Sequence, residues 1–317
     1  MSKIIATGAY LPERRLTNDD LIEAYDLESS DEWISQRTGI KARHFAQEDE
    51  RVADLATKAA EDLLAKLDDS QEVVQKIKHV IVATMSAYSP SPSVGAEVQA
   101  RINATNAWGM DVNGACSGFV MALELAEKLS KDSTDGYTLV IGAEKMTNIL
   151  DLYDKRTSIL FGDGAGALLI EHDGQGLPDY RSDIHTAEDR TQAISYKVSP
   201  ESDQYLQMVG RDVFKFVSQV VVRELESFIE QGDQSIDYLI CHQANKRLLD
   251  IFSRKLGISD EMIPSNIEHV ANLSAGSIPV LIDALVKNDT LSLDQSIRVV
   301  ICGFGGGLSW GQIQMMI

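Results

Sequence analysis

The chain closes twice in the same way. Near its middle FGDGAGALLIE (161–171) sets a glycine-rich stretch before an apolar strand, and near its end GFGGGLSWGQI (303–313) does so again. Each follows an apolar strand pattern, YTLVIGA in the first case and RVVICGF in the second. A pattern recurring half a chain apart points to an internal duplication. It divides the chain into residues 1–171 and 172–317, each an α/β half, with ligand pockets expected where the halves join.

Strand and helix signals alternate within both halves. KIIATGAY (3–10) and HVIVATM (79–85) read as buried strands, and VADLATKAAEDLLAKL (52–67) has apolar residues at helical spacing. SDEWISQRTG (30–39) opens with serine and acids, as helix N-termini do. Strand WGMDVN, helix CSGFVMALELAEKLS and strand YTLVIGA follow. Residues 171–204 read as a polar connection. Beyond it the pattern predicts a long helix over 207–231, strand DYLICH, helices NKRLLDIFSRKLG and SIPVLIDALVKN, and a terminal strand pair. Such alternation implies βαβ units and parallel pairing.

Bulk properties exclude several classes. A net charge of −19 over 317 residues argues against general nucleic-acid binding, which needs a basic face. Apolar runs fall far short of the roughly 20 residues of a membrane helix. MSKIIATGAY reads as a strand and not as a leader, so the chain is expected in the cytoplasm. Three cysteines without a secretion signal argue against a disulfide framework, and no Cys or His pair has metal-ligand spacing.

DVNGACSGFV (111–120) places Cys116 where a strand gives way to a helix, among small residues that allow a sharp turn. A helix N-terminus favours a thiolate, so Cys116 is a candidate nucleophile. The competing reading is an inert packed thiol, the usual state of a free cysteine and the preferred one for Cys241 and Cys302 inside apolar strands. His242 ends strand DYLICH, where open α/β sheets place ligands; it is equally a satisfied hydrogen-bonding residue. Asn272, in HVANLSAGSIPV, reads alone as a turn or cap residue. His44, His79, His172, His185 and His269 lack comparable settings. The glycines of CGFGGGLSWG allow close backbone approach, but no Lys-Ser/Thr follows them for a phosphate loop.

Together GACSGF, CHQANKRLLD, NLSAGSIP and GFGGGLSWG, with SDEWISQRTGI and FGDGAGA, resemble the β-ketoacyl-[acyl-carrier-protein] synthase III family over nearly the whole chain. The resemblance implies a thiolase-like fold of two duplicated βαβ halves in five layers, α-β-α-β-α, as a homodimer without cofactor or metal. It implies decarboxylative condensation of a short acyl-CoA primer with malonyl-acyl carrier protein. The triad maps onto Cys116, His242 and Asn272, and the oxyanion-hole N–H groups onto Cys116 and Gly306. Trp33, Arg37, Lys155 and Asn245 would contact CoA. Lys215, Lys246, Arg247, Arg254 and Lys255 would form a basic patch for the acidic carrier protein. Ala271 and Leu273 depart from the family pattern by replacing the usual Gly and Thr around Asn272, and Lys155 stands where Arg is usual. Ser91 occupies the loop position where relatives often place a Phe that reaches the partner's acyl pocket. Other expectations are a paralogue using different primers in secondary metabolism and, in a different class, a non-catalytic acyl-CoA and carrier-protein scaffold. Hydroxymethylglutaryl-CoA synthase chemistry would need a Glu that nothing in the sequence marks.

Overall fold

The computed structural model describes residues 2–196, 205–232 and 235–317. In its first half the chain runs β1 (Lys3–Tyr10), β2 (Arg14–Thr17), α1 (Asn18–Tyr25), α2 (Asp31–Thr38), β3 (Ala42–Phe45), α3 (Val52–Leu64), α4 (Ser70–Lys76) and β4 (Ile77–Ala83). It continues through α5 (Val94–Arg101), β5 (Trp108–Val112), α6 (Gly118–Lys131), β6 (Tyr137–Lys145) and β7 (Asp163–Glu171). The second half holds β8 (Arg181–Thr186), β9 (Ile194–Ser195), β10 (Gln207–Met208), α7 (Gly210–Phe216), α8 (Val222–Glu230), β11 (Tyr238–Cys241) and α9 (Lys246–Leu256). Then come α10 (Ile267–Val270), α11 (Ser277–Lys287), β12 (Arg298–Gly305) and β13 (Ser309–Met316).

The duplication is visible in the sheets. One has the order β1-β7-β6-β4-β5 and the other β8-β13-β12-β11. In each, two antiparallel pairings are followed by a parallel one: β1 with β7, β7 with β6 and β6 with β4, against β8 with β13, β13 with β12 and β12 with β11. In the first sheet, β5 extends this order and stands at the edge.

Three helical layers sandwich the sheets. On α3 the buried residues Val52, Leu55, Ala56, Ala59, Ala60 and Leu63 recur at helical spacing and face the first sheet. Each large side chain so buried contributes about 1.5–3 kcal/mol. In the middle, α6 and α11 are covered on both sides, so Phe119, Leu123, Ile278 and Leu281 share one core with Val140 and Leu168 of the first sheet and Ile301 and Ile313 of the second. Outside the second sheet, α8 and α9 cover Leu239, Val300 and Phe304. The five expected layers are present. The middle layer approaches the first sheet at backbone distance: a Cβ on Gly142 would fall 2.2 Å from the Ala275 carbonyl oxygen, and one on Gly166 would fall 2.5 Å from the Val280 nitrogen.

Two sequence expectations need correction. The polar connection contains β8, RSDIHT, a half-buried edge strand without an apolar run; its last residues, 197–204, lie outside those described. The helix expected over 207–231 starts at Gly210, after the short β10, and is interrupted by a π turn at Val217–Val221. Among the described residues no helix is long and apolar enough to cross a membrane.

Candidate active site

Cys116 lies in a 3-10 turn, Ala115–Ser117, between β5 and α6. Ala115 takes a left-handed φ of 46°, which makes the elbow sharp enough to bring the next side chain to the end of the sheet. Small residues crowd this point because the backbone of β12 passes over it. A Cβ on Gly305 would fall 2.7 Å from the Cys116 Cβ and 3.0 Å from its nitrogen. Gly306 follows, with its Cα toward Ile194 and Ala115. Its carbonyl accepts from the Ser309 hydroxyl at 2.7 Å, and the Ser309 Oγ lies 2.6 Å from the Ser117 Oγ, which ties the glycine turn to the elbow.

The second half supplies the facing groups. His242 follows the last residue of β11, its N–H donating to the Cys302 carbonyl at 2.8 Å and its ring set edge-on to Phe304. Asn272 is locked by backbone to the first half: its N–H donates to the Leu160 carbonyl and its carbonyl accepts from Gly162, both at 3.0 Å. Its side-chain Oδ1 accepts from the Ser274 N–H at 2.7 Å, which leaves the NH2 group as its donor. Ala271 has φ 65° and ψ −164°, a region that suits glycine, so the departure noted in the sequence places a methyl group in strained backbone beside Asn272. Leu273, the other departure, is fully buried and packs with Val270 and Val280.

Cys116, His242 and Asn272 line one cavity of about 710 Å³ with Phe304 and Gly305. Its inner wall is apolar, with Met85, Met146, Phe161, Ile194, Leu206 and Met208. Its mouth is basic and aromatic: Arg37 stacks over the Trp33 ring at 4.6 Å, and Arg156, Arg211, Arg247 and Phe214 stand alongside. Asn245 also lines it; its Oδ1 caps α9 by accepting from the Arg247 N–H, and its amide donates to the Arg37 carbonyl.

Burial dominates the electrostatics. It pushes the Cys116 thiol up to about 12, with the Glu144 carboxylate adding to the rise. Burial thus opposes the thiolate that a helix N-terminus favours. The cysteine sits in a turn ahead of α6, and desolvation outweighs the dipole there. Burial alone lowers His242 to about 3, so its imidazole is neutral over the whole working range.

Not every sequence candidate reaches this site. Lys155 does not line the cavity; its ammonium donates to the Glu28 carbonyl at 2.7 Å. The neighbouring Arg156 takes that place, clamped on Asp154 by Nε at 2.9 Å and Nη2 at 2.8 Å, because the turn at 154–157 points successive side chains apart. Ser91 is exposed on the loop before α5 and is absent from the cavity wall. Lys215, Arg247, Arg254 and Lys255 are exposed on α7 and α9, and Lys255 ties α9 to the π turn after α7 by donating to the Ser218 carbonyl; Lys246 is half-buried and paired with Asp250. Cys241 and Cys302 are fully buried on paired strands. Sequence reasoning missed Arg156, Arg211, the methionine-rich inner wall and Glu144. Only Glu144 left a signal, an acid at the end of an apolar strand.

The family described as 3-Oxoacyl-[acyl-carrier-protein (ACP)] synthase III matches residues 110–187, and its C-terminal counterpart matches residues 230–316. The chain is 40% identical over 328 residues to a β-ketoacyl-[acyl-carrier-protein] synthase III of Streptococcus equi subsp. zooepidemicus, with 100% of this chain and 99% of the relative covered. Identity to the Streptococcus suis protein of the same name is 41% over 329 residues, at the same coverage. Among solved structures, the 3-oxoacyl-[acyl-carrier-protein] synthase III of Aquifex aeolicus superposes at TM-score 0.89 with 32% identity and 100% of both chains covered. The priming β-ketosynthase of the R1128 polyketide pathway superposes at 0.91 with 26% identity, covering 100% of this chain and 96% of the other.

Proposed function

Because the chain belongs to the β-ketoacyl-[acyl-carrier-protein] synthase III family, it is a condensing acyltransferase that initiates fatty-acid synthesis, and we propose that Cys116, His242 and Asn272 carry the reaction. The observation that supports this assignment is their convergence, from both halves, on one apolar cavity. The Cys116 sulfur attacks the thioester of an acyl-CoA primer and CoA leaves, giving an acyl-enzyme. N–H groups of Cys116 and Gly306 receive the oxyanion, held in place by the Ser117 and Ser309 hydroxyls. Malonyl-acyl carrier protein then loses carbon dioxide. The enolate oxygen is held by the neutral His242 and the Asn272 NH2 group, and the enolate carbon attacks the acyl group to give 3-ketoacyl-acyl carrier protein. The reaction so written needs no metal or cofactor and fits a cytoplasmic enzyme. Incubation with acetyl-CoA should add one acyl mass to the intact protein, located on the Cys116 peptide; no adduct with any acyl-CoA would contradict the mechanism.

The substrates' polar ends fit the mouth. Trp33 and Arg37 offer a planar ring and a guanidinium for adenine and phosphate, and Arg156 and Arg211 add charge. Arg156→Ala should raise the apparent KM for acyl-CoA roughly tenfold, the worth of one charged hydrogen bond, while Lys155→Ala leaves it within twofold. Steady-state kinetics on the two variants checks the exchange of roles.

Lys215, Lys246, Arg247, Arg254 and Lys255 make the patch for the carrier protein. Arg247 lines the cavity that both substrates use, so Arg254, further along α9, is the cleaner probe. Arg254→Glu is expected to raise the apparent KM for malonyl-acyl carrier protein about tenfold at low salt, less at high salt, and to spare acyl-CoA. Equal effects on both substrates would contradict the patch. The homodimer is supported by β5, an edge strand whose Trp108 is 47% exposed and whose free side can pair with a second copy. That pairing would bring the Ser91 loop toward the partner's acyl pocket.

A further inference from the structure

Directly behind the nucleophile lies a carboxyl group that the mechanism above leaves unused. Glu144 sits near the end of β6, after an apolar run, and its side chain is wholly buried. A carboxylate there is tolerated only if its oxygens are bonded. They accept from the Met85 N–H at 3.2 Å, the Ser86 N–H at 3.1 Å, the Ser86 and Thr84 hydroxyls, and the Ser274 hydroxyl at 3.0 Å. All are neutral donors. The ammonium of the adjacent Lys145 is turned away, held by the carbonyls of Gln47, Glu48 and Glu50.

Ser274 links this group to the chemistry. The turn Ser274–Gly276 packs on the Cys116 turn, and since the Ser274 hydroxyl gives its own proton to Glu144, its oxygen is left to accept from the Cys116 S–H. The serine is fixed by its own N–H on Asn272 and by a left-handed φ of 48°. One hydroxyl proton thus stands between a buried thiol and a buried carboxylate.

We propose that Glu144, acting through Ser274, is the positioning residue that takes up the Cys116 proton when the sulfur is acylated and returns it when the sulfur is released. The proposal rests on the acyl-Cys116 intermediate argued above. The S–H bond breaks and its proton passes to the Ser274 oxygen, while the Ser274 proton passes to Glu144. The thiolate then forms a C–S bond to the acyl carbon, the bond to the CoA sulfur breaks with its electron pair, and CoA takes a proton from solvent at the mouth. During condensation the new C–C bond expels the Cys116 sulfur with its electron pair, and the stored proton returns along the same path. Through the intervening stage Glu144 is neutral, which removes a negative charge from behind the site just as the anionic malonyl group and the enolate occupy it.

The alternative acceptor, His242, fits less well. Burial lowers its imidazole to about 3, while burial raises Glu144 to about 7, nearer to the buried thiol. Other ionisable groups near Glu144 are Cys116 itself, Lys145, and Asp163, which pairs with Lys145 across β6 and β7 and bonds the Thr147 and Ala46 N–H groups.

Alkylation of Cys116 by iodoacetamide across pH 5.5–10 tests the proposal without substrate. The pair loses the first of its two protons near pH 7 and shares the second above it, so the rate rises up to that pH and is then level, because the fraction with the remaining proton on Glu144 no longer changes. In Glu144→Gln the level region should vanish and the rate should climb about tenfold per pH unit. Ser274→Ala should behave in the same way, Ser274→Thr should restore the plateau, and the double variant should add nothing to either single one. Single-turnover acylation by acetyl-CoA at pH 7 should fall about 100-fold in both Glu144→Gln and Ser274→Ala. A Glu144→Gln profile superimposable on the wild type overturns the relay; if that variant does not fold, an unchanged Ser274→Ala profile does so. Alkylation uses neither CoA nor carrier protein, so its failure leaves the condensing mechanism standing, whereas failure to acylate Cys116 at all would remove both.

Discussion

Cys116→Ala is expected to accept no acyl group from any acyl-CoA and to lose condensing activity by at least about 10⁴-fold, the scale on which removal of an enzymatic nucleophile acts. No other thiol can substitute. Cys241 and Cys302 are fully buried on β11 and β12, facing the outer helices and not the cavity. The same variant should still release carbon dioxide from malonyl-acyl carrier protein, because the donors proposed for that step come from the other half of the chain. Intact-protein mass and carbon dioxide release on one preparation report the two half-reactions separately. Loss of both together would show that the sulfur also positions malonyl. An adduct on Cys241 or Cys302 would move the nucleophile.

The complementary loss is expected at His242 and Asn272. Replacing either by alanine removes a hydrogen bond that matters most when the enolate oxygen carries charge. Decarboxylation should fall about 100- to 1000-fold, the usual cost of one oxyanion donor, while acyl transfer to Cys116 persists. The pH dependence carries an independent sign. With its folded-state value depressed to about 3, His242 does not change charge between pH 5 and 8. Carbon dioxide release should therefore show no step near 6.5; a donor that had to be protonated would lose activity as pH rises through that point. Asn272→Asp should be as poor as alanine, since a carboxylate supplies no donor and repels the enolate.

Much of this was legible in the residues. The apolar runs 3–10, 79–85 and 137–143 predict strands because a strand covered on both faces has nothing else to show. The repeated glycine-rich closings predict two like sheets. RSDIHT carries no such signal: an edge strand with half-exposed side chains resembles a polar loop, and its pairing with β13 is set by tertiary contact. The site was legible as a set of motifs, whereas its electrostatics were not. Adjacency in sequence suggests that a helix dipole acts on Cys116, but only the packed structure shows the 3-10 turn, the burial and an acid behind it. Lys155 and Arg156 differ by one position, and which of them faces the cavity is decided by the Asp154 turn.

The backbone contacts of Gly142 with the turn Ser274–Gly276 and of Gly166 with the start of α11 have a consequence for mutational tolerance. The turn that holds Ser274 and the adjacent Asn272 leads directly into that helix, with no slack between the peptide groups. A single methyl at either glycine would displace this turn and carry the donors away from the sulfur. Variants could thus be silenced from inside the first sheet, several residues from any atom that meets substrate, and would pass in an activity screen for lesions of the chemistry itself.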